Sequence, residues 1–268
     1  MSRAKDLLVR LLGRVGLATP AYRVYEAVVA RRATRGLDTA APGPDGLPFP
    51  PPAVILSVAG TTDTAWFLEG GQRAVTALRD VLQRHGTSLD AQQSVLEFGC
   101  GCGRVVRHLA SLPGKVHGCD WNPAAVDWCS ENLTFATFAR NQLLPPLPYA
   151  DASFDFVYAL SVFTHMGEEI QRPWMDELRR VLRPGGHLVV TTLGRRHAKE
   201  LSPDEQARFE RGEFVSRHVE GAGTNLCSAF HPERYVREVF TRGWTLLEFV
   251  PEGALGNPWQ DLTLLRRD

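Results

Sequence analysis

Apolar and polar positions along this chain follow two rhythms. Compact apolar runs recur at 95–98, 115–120, 135–140, 156–160 and 187–192. Runs this short, bounded by Gly, Pro and Asn, predict strands buried in a sheet. Between them the apolar residues fall at helical spacing. Val105-Val106-Arg107-His108-Leu109 predicts a helix after the first strand, and Asn122-Pro123-Ala124-Ala125-Val126 predicts one after the second, with Asn122 as N-cap and Pro123 at the first helical position. Ile170, Trp174, Leu178, Val181 and Leu182 mark a further helix over 168–182, which Arg183-Pro184-Gly185-Gly186 stops. A helix over 72–85 precedes the first strand. Another over 232–242 leads into a closing strand pair at 244–250 and 261–266. Strands alternating with helices predict an α/β chain with a largely parallel sheet.

The first strand carries the chemistry. Val95-Leu96-Glu97-Phe98 runs into Gly99-Cys100-Gly101-Cys102-Gly103-Arg104. Alternating glycines let a ligand press against the backbone, and the following helix start would offer unpaired N–H groups to a carboxylate. The spacing is G-x-G-x-G, with Arg104 where a dinucleotide fingerprint has its third glycine, and no Gly-Lys-Ser/Thr follows. A strand-to-helix turn without a ligand would also use such glycines. The second strand, Lys115-Val116-His117-Gly118-Cys119-Asp120, ends in an acid at the spacing of a βαβ unit.

Together with Glu177-Leu178-Arg179-Arg180-Val181-Leu182-Arg183-Pro184-Gly185-Gly186, these segments resemble class I S-adenosylmethionine-dependent methyltransferases over about residues 90–193. Asp45-Gly46-Leu47-Pro48, Ser161-Val162-Phe163-Thr164-His165 and Gly223-Thr224-Asn225-Leu226-Cys227 further resemble a bacterial small-molecule subgroup. The resemblance implies an α/β Rossmann-like, seven-stranded, mostly parallel sheet with helices on both faces and an antiparallel closing strand. It implies S-adenosyl-L-methionine as cofactor, cradled by Glu97, Gly99, Cys100, Gly101, Gly103 and Ser161. Asp120 would take the ribose hydroxyls, Trp121 the adenine face and Asn141 the adenine amine. Phe67 and Trp66 would shield the sulfonium, Trp66 from the acceptor side. His165, delivered to the carboxyl edge of the sheet by the fourth strand, is the candidate base, and packing at the loop is its other reading. His218, Asn225 and His231 are candidate acceptor contacts. The expected reaction is methylation of an acceptor oxygen on a sugar, glycolipid or secondary metabolite. N-methylation and a non-catalytic binding protein on the same fold are the alternatives, and the glycine spacing disfavours a dehydrogenase.

Composition narrows this further. The chain has 268 residues and a formal net charge of zero, which implies no broad nucleic-acid-binding field. The five cysteines lack metal-ligand spacing, and a disulfide framework is not expected at this size, so a reducing cytoplasm fits and no metal is expected. Residues 1–37 hold eight Lys and Arg against two acidic residues, with Leu7, Leu8, Leu11 and Leu12 on one helical stripe. This arm reads as a helix lying on its own acidic domain, or as one that visits an anionic membrane or a partner. It does not read as a signal peptide. The expected organisation is an arm and an extended Pro-rich linker over 1–52, a helical cover over 53–92, and a core over 93–268. That core holds a substrate lid at about 195–230.

Overall fold

The computed structural model describes residues 42–256 and 259–268, with a few scattered positions between 20 and 29. The basic arm lies outside the described residues. Two helices come first, α1 (Pro52–Ala59) and α2 (Thr64–Arg84). The core then runs β1 (Ser94–Phe98), a 3-10 turn (Val106–Leu109), β2 (Lys115–Asp120), α3 (Pro123–Asn132), β3 (Ala136–Arg140), β4 (Phe154–Ala159), α4 (Glu168–Val181) and β5 (Leu182–Thr192). The insert folds as α5 (Arg195–Ala198), α6 (Pro203–Glu210) and a small antiparallel pair, β6 (Val215–Arg217) with β7 (Ser228–Phe230). A short helix, α7 (Glu233–Tyr235), passes into a π turn (Val236–Phe240). Strands β8 (Thr245–Ala254) and β9 (Gln260–Arg266) close the chain.

The seven-stranded sheet has the order β3-β2-β1-β4-β5-β9-β8, parallel from β3 to β5, with β9 antiparallel to both its neighbours. Strand alternation divides the core. Val95, Phe156, Tyr158 and Val189 face α2 and α3 with Leu78, Val81, Leu82 and Cys129. Leu96, Phe98, Val157 and Val190 face α4 with Trp174, Leu178 and Val181. Both faces are covered, as a parallel sheet requires. The strand order reverses between β1 and β4, and a crevice opens there at the carboxyl ends of the strands.

Three expectations change. α2 begins at Thr64, capped by the Asp63 carboxylate, which accepts from Trp66 N–H at 3.0 Å, and it runs straight through Gly70-Gly71. A Cβ on Gly71 would lie 2.0 Å from the Arg104 carbonyl oxygen, so this glycine lets the helix touch the turn after β1. The expected helix after that turn is only a 3-10 segment, and the Glu97 carboxylate takes the Val106 N–H that opens it at 3.0 Å. The linker, expected to be extended, is folded at its end. The buried Arg107 guanidinium holds the Asp45 carboxylate at 2.6 and 3.0 Å and the carbonyls of Leu47 and Pro48 at 3.2 and 3.3 Å. Among the described residues no helix is long and apolar enough to cross a membrane.

Candidate active site

The glycine turn sits at the crevice because its backbone can. Gly99 and Gly101 adopt φ of 76° and 51°, and a Cβ on either would lie 2.3 Å from a methyl group of Val162 or Val58 respectively. The turn is fastened to β2. Gly99 and Cys100 N–H groups donate to the Cys119 carbonyl at 2.8 and 3.0 Å, and Gly101 N–H donates to Asp120 Oδ2 at 2.8 Å. These three N–H groups therefore serve a carbonyl and a carboxylate of the protein itself, and the Val106 N–H at the following turn, expected to be open to an incoming carboxylate, serves Glu97.

Two buried carboxylates flank the turn. Asp120 ends β2, 9% exposed, with Oδ1 accepting from Asn122 N–H at 2.8 Å. Burial raises its pKa against the pull of these hydrogen bonds. Glu97, 4% exposed, accepts from Val106 N–H and from the Tyr158 hydroxyl at 3.1 Å, both on Oε2. Burial pushes it up to about 8, with nearby Arg104 acting in the opposite sense. The Arg104 guanidinium donates to the Gly256 carbonyl at 3.2 Å and lies 5.2 Å from the Trp66 ring centre.

These groups line one cavity of about 570 Å³. Its floor is the sheet edge, from Asn141 after β3 to Gln260 at the start of β9. Asn141 donates Nδ2 to the Gln142 carbonyl at 2.7 Å, while its Oδ1 is buried with no partner among the described residues. The roof comes from both ends of the chain. Ser57 and Val58 of α1 meet the 223–227 loop, where Asn225 Nδ2 donates to the Ser57 carbonyl at 3.0 Å. Trp121 Nε1 donates to the Gly223 carbonyl at 2.9 Å, and Gly223 N–H donates to the His165 carbonyl at 2.8 Å. His165 Nδ1 lies 2.8 Å from the Cys227 carbonyl. A carbonyl only accepts, so Nδ1 carries the proton and Nε2 keeps the lone pair. Burial lowers this imidazole's pKa, which keeps it neutral at physiological pH.

Most of the expected residues meet here. Glu97, Gly99, Cys100, Asp120, Trp121, Asn141, Ser161, His165, Trp66 and Asn225 all line the cavity. Others lie elsewhere. Gly101 and Gly103 stand behind the lining, and Gly103 clears room for Leu133, directly after α3. Phe67 is fully buried against Phe49 and Ile55, because adjacent helix residues point about 100° apart and Trp66 already faces the cavity. His231 is fully buried beside Phe214, Tyr235 and Phe240, donates Nε2–H to Gln171 Oε1 at 3.0 Å, and is pushed down to about 3 by burial. His218 lies outside the lining, its Nδ1 3.7 Å from Glu220. Arg104, Asn122, Ser57 and Gln260 line the cavity without having been singled out. A cation directly after the glycine turn was a usable signal for Arg104. Nothing local marks Ser57 or Gln260.

Comparison with known proteins agrees with this geometry. Residues 96–190 match the model of the methyltransferase domain family. A tRNA N(3)-cytidine methyltransferase of Gallus gallus is 30% identical over 165 residues, covering 57% of this chain and 42% of that protein. A probable S-adenosylmethionine-dependent methyltransferase of Mycolicibacterium smegmatis is 35% identical over 105 residues, covering 39% of this chain and 40% of that protein. The chain thus spans under half the length of these relatives. A Methanosarcina mazei S-adenosylmethionine-dependent methyltransferase structure superposes with a TM-score of 0.52 at 21% identity, over 69% of this chain and 96% of that one, and shows the shared fold. Matched sequence, strand order and strand-tip acids together make residues 96–190 the core of a class I S-adenosylmethionine-dependent methyltransferase domain.

Proposed function

We propose that this chain transfers the methyl group of S-adenosylmethionine to an oxygen of a small-molecule acceptor, of the sugar, glycolipid or secondary-metabolite kind. The order of polar groups along one sheet edge carries this reading. Asn141 follows β3, Asp120 ends β2, and Glu97 with Arg104 flanks the turn after β1. Adenine, ribose and the methionine zwitterion need these groups in this order. The orphaned Asn141 Oδ1 suits an exocyclic amine. Each Asp120 oxygen retains a lone pair for a ribose hydroxyl beyond its one backbone bond. Arg104 offers a positive charge to an α-carboxylate, and Glu97 offers its carboxyl oxygens to an α-ammonium.

When bound, the cofactor supplies a methyl group on a sulfonium, a donor that is already activated. The protein's part is alignment, exclusion of water and care of one proton. His165 is the proposed base. Its neutral ring presents Nε2 to an acceptor hydroxyl, with the tautomer set by the Cys227 carbonyl. The roof supports a small acceptor, since the Asn225–Ser57 and Trp121–Gly223 bonds would have to open to admit a large one. All five cysteines are free thiols, in keeping with the proposed reducing cytoplasmic setting.

The test is calorimetry with S-adenosylmethionine and S-adenosylhomocysteine. Micromolar binding by the wild type that collapses in Asp120→Ala is the expected result. Absence of binding by the folded wild type overturns the assignment. In an acceptor screen, His165→Ala should cut an O-methylation rate by roughly 10²–10⁴-fold. A small loss points to an amine acceptor instead.

A further inference from the structure

The cavity runs past the groups assigned to the cofactor and ends in a second polar wall. At a strand spacing of about 4.8 Å, Ser161, which follows β4, stands roughly 10 Å from the Asp120 tip, and Gln260 on β9 roughly 19 Å from it. Both line the cavity, and Gln260 is 8% exposed. If β3, β2 and β1 serve adenine, ribose and methionine, the β4–β5–β9 end is left for the acceptor.

Hydrogen bonds fix the chemistry of that wall. Ser161 N–H donates to Thr191 Oγ1 at 2.7 Å. Thr191, fully buried, must send its own proton elsewhere, and Gln260 Oε1 lies 2.7 Å away. This sets the amide orientation, with oxygen toward Thr191 and nitrogen toward Ser161, which lines the cavity. Gln260 Nε2 then donates one N–H to Ser161 Oγ at 2.9 Å. Ser161 Oγ also lies 3.2 Å from Thr164 Oγ1. The second Gln260 N–H has no hydrogen bond to another described residue. Ser161 is held at φ 60°, a left-handed conformation that costs energy outside glycine and that the Thr191 contact sustains.

We infer that Gln260 is an acceptor-binding and specificity residue, donating this N–H to a carbonyl or carboxylate oxygen that neighbours the methylated group. The inference rests on the methyltransferase reading above. A wall built to donate leaves its N–H unpaired against an acceptor that lacks such an oxygen, and sites of this kind discriminate strongly.

The experiment loads the full chain with S-adenosylhomocysteine and titrates three probes by calorimetry. Salicylate carries a carboxylate, salicylamide a carbonyl, and 2-hydroxybenzyl alcohol neither. Wild type should bind salicylate or salicylamide at least about tenfold tighter than the alcohol, and the stronger of the two identifies the oxygen. Gln260→Glu keeps the shape and lets Thr191 and Ser161 donate to it, but it removes the cavity-facing donor. It should erase the preference while S-adenosylhomocysteine affinity stays within about twofold. Gln260→Met, without charge, should do the same. The inference is overturned if the alcohol binds as well as the other two, if neither salicylate nor salicylamide binds the loaded protein, or if the variants keep the preference. It is also overturned if Gln260→Glu chiefly weakens S-adenosylhomocysteine, which would make the wall part of the cofactor site. Failure of wild type to bind S-adenosylhomocysteine at all strikes the methyltransferase reading first.

Discussion

Asn141 shows what a single side chain contributes at this site. Its Nδ2 is committed to the Gln142 carbonyl and its Oδ1 is buried without a partner among the described residues. An orphaned acceptor is costly in the free protein, and that cost is recovered when a donor arrives. Asn141→Ala should therefore weaken S-adenosylhomocysteine binding by about tenfold, equivalent to about 1.4 kcal/mol, and leave the melting temperature nearly unchanged. Equal losses of affinity and of thermal stability would instead make Asn141 a structural residue. The places of Asn141 and Asp120 at the cavity were legible in the sequence because one follows and the other ends a short strand that can be read from the chain alone. His231 was not. Its imidazole is a neutral core group that donates to Gln171, a residue 60 positions away, and no local pattern separates a core histidine from a ligand-facing one.

At the scale of elements, the parallel strands, α3 and α4 were legible from periodicity, caps and breakers. The contact of α2 with the glycine turn was not. Gly70-Gly71 reads as a break in the sequence, yet both lie inside α2, where the Arg104 carbonyl comes too close to Gly71 for a side chain and the Gly256 carbonyl and Arg104 guanidinium crowd Gly70. Two principles oppose each other at Gly71. Helix propensity favours alanine by about 1 kcal/mol, whereas a Cβ 2.0 Å from the Arg104 carbonyl oxygen forces the helix away. Overpacking of this kind costs about 1–3 kcal/mol and has backbone, not a flexible side chain, to push against. Gly71→Ala should be net destabilising by up to about 2 kcal/mol in urea unfolding. A stabilised variant would show that α2 can slide off the turn freely.

For the whole molecule, two buried groups bend stability with pH in opposite directions. His231 sits at about 3 in the folded protein, against an ordinary value of 6.5. Between these values the unfolded chain binds a proton that the folded one refuses, so stability rises with pH up to about 6.5. Glu97 sits at about 8, against 4.5. There the folded chain keeps a proton that the unfolded one releases, so its contribution is whole below 4.5 and is lost as pH climbs to 8. Melting temperatures measured from pH 4 to 8 should be raised on the acid side by His231→Gln and on the alkaline side by Glu97→Gln. Unchanged profiles in both variants would mean that neither group governs the curve. The seven-stranded architecture was legible from the alternation of elements. The assembled cavity was not, because Ser57 and Gln260 belong to segments outside the 96–190 core and only tertiary packing brings them to it.

The Asn225–Ser57 bond spans 168 positions of sequence. The fold as a whole brings these distant segments together, and locally the contact is a single hydrogen bond of modest net strength. Of the contacts around the cavity, this one should be the first to open and the last to re-form. Its consequence is kinetic. A molecule enclosed beneath it has a residence time set by the opening of the roof as well as by the strength of the contacts that hold it. In stopped-flow displacement, Asn225→Ala should hasten both entry and departure of S-adenosylhomocysteine, by similar factors, so that turnover could change while the equilibrium constant scarcely moves.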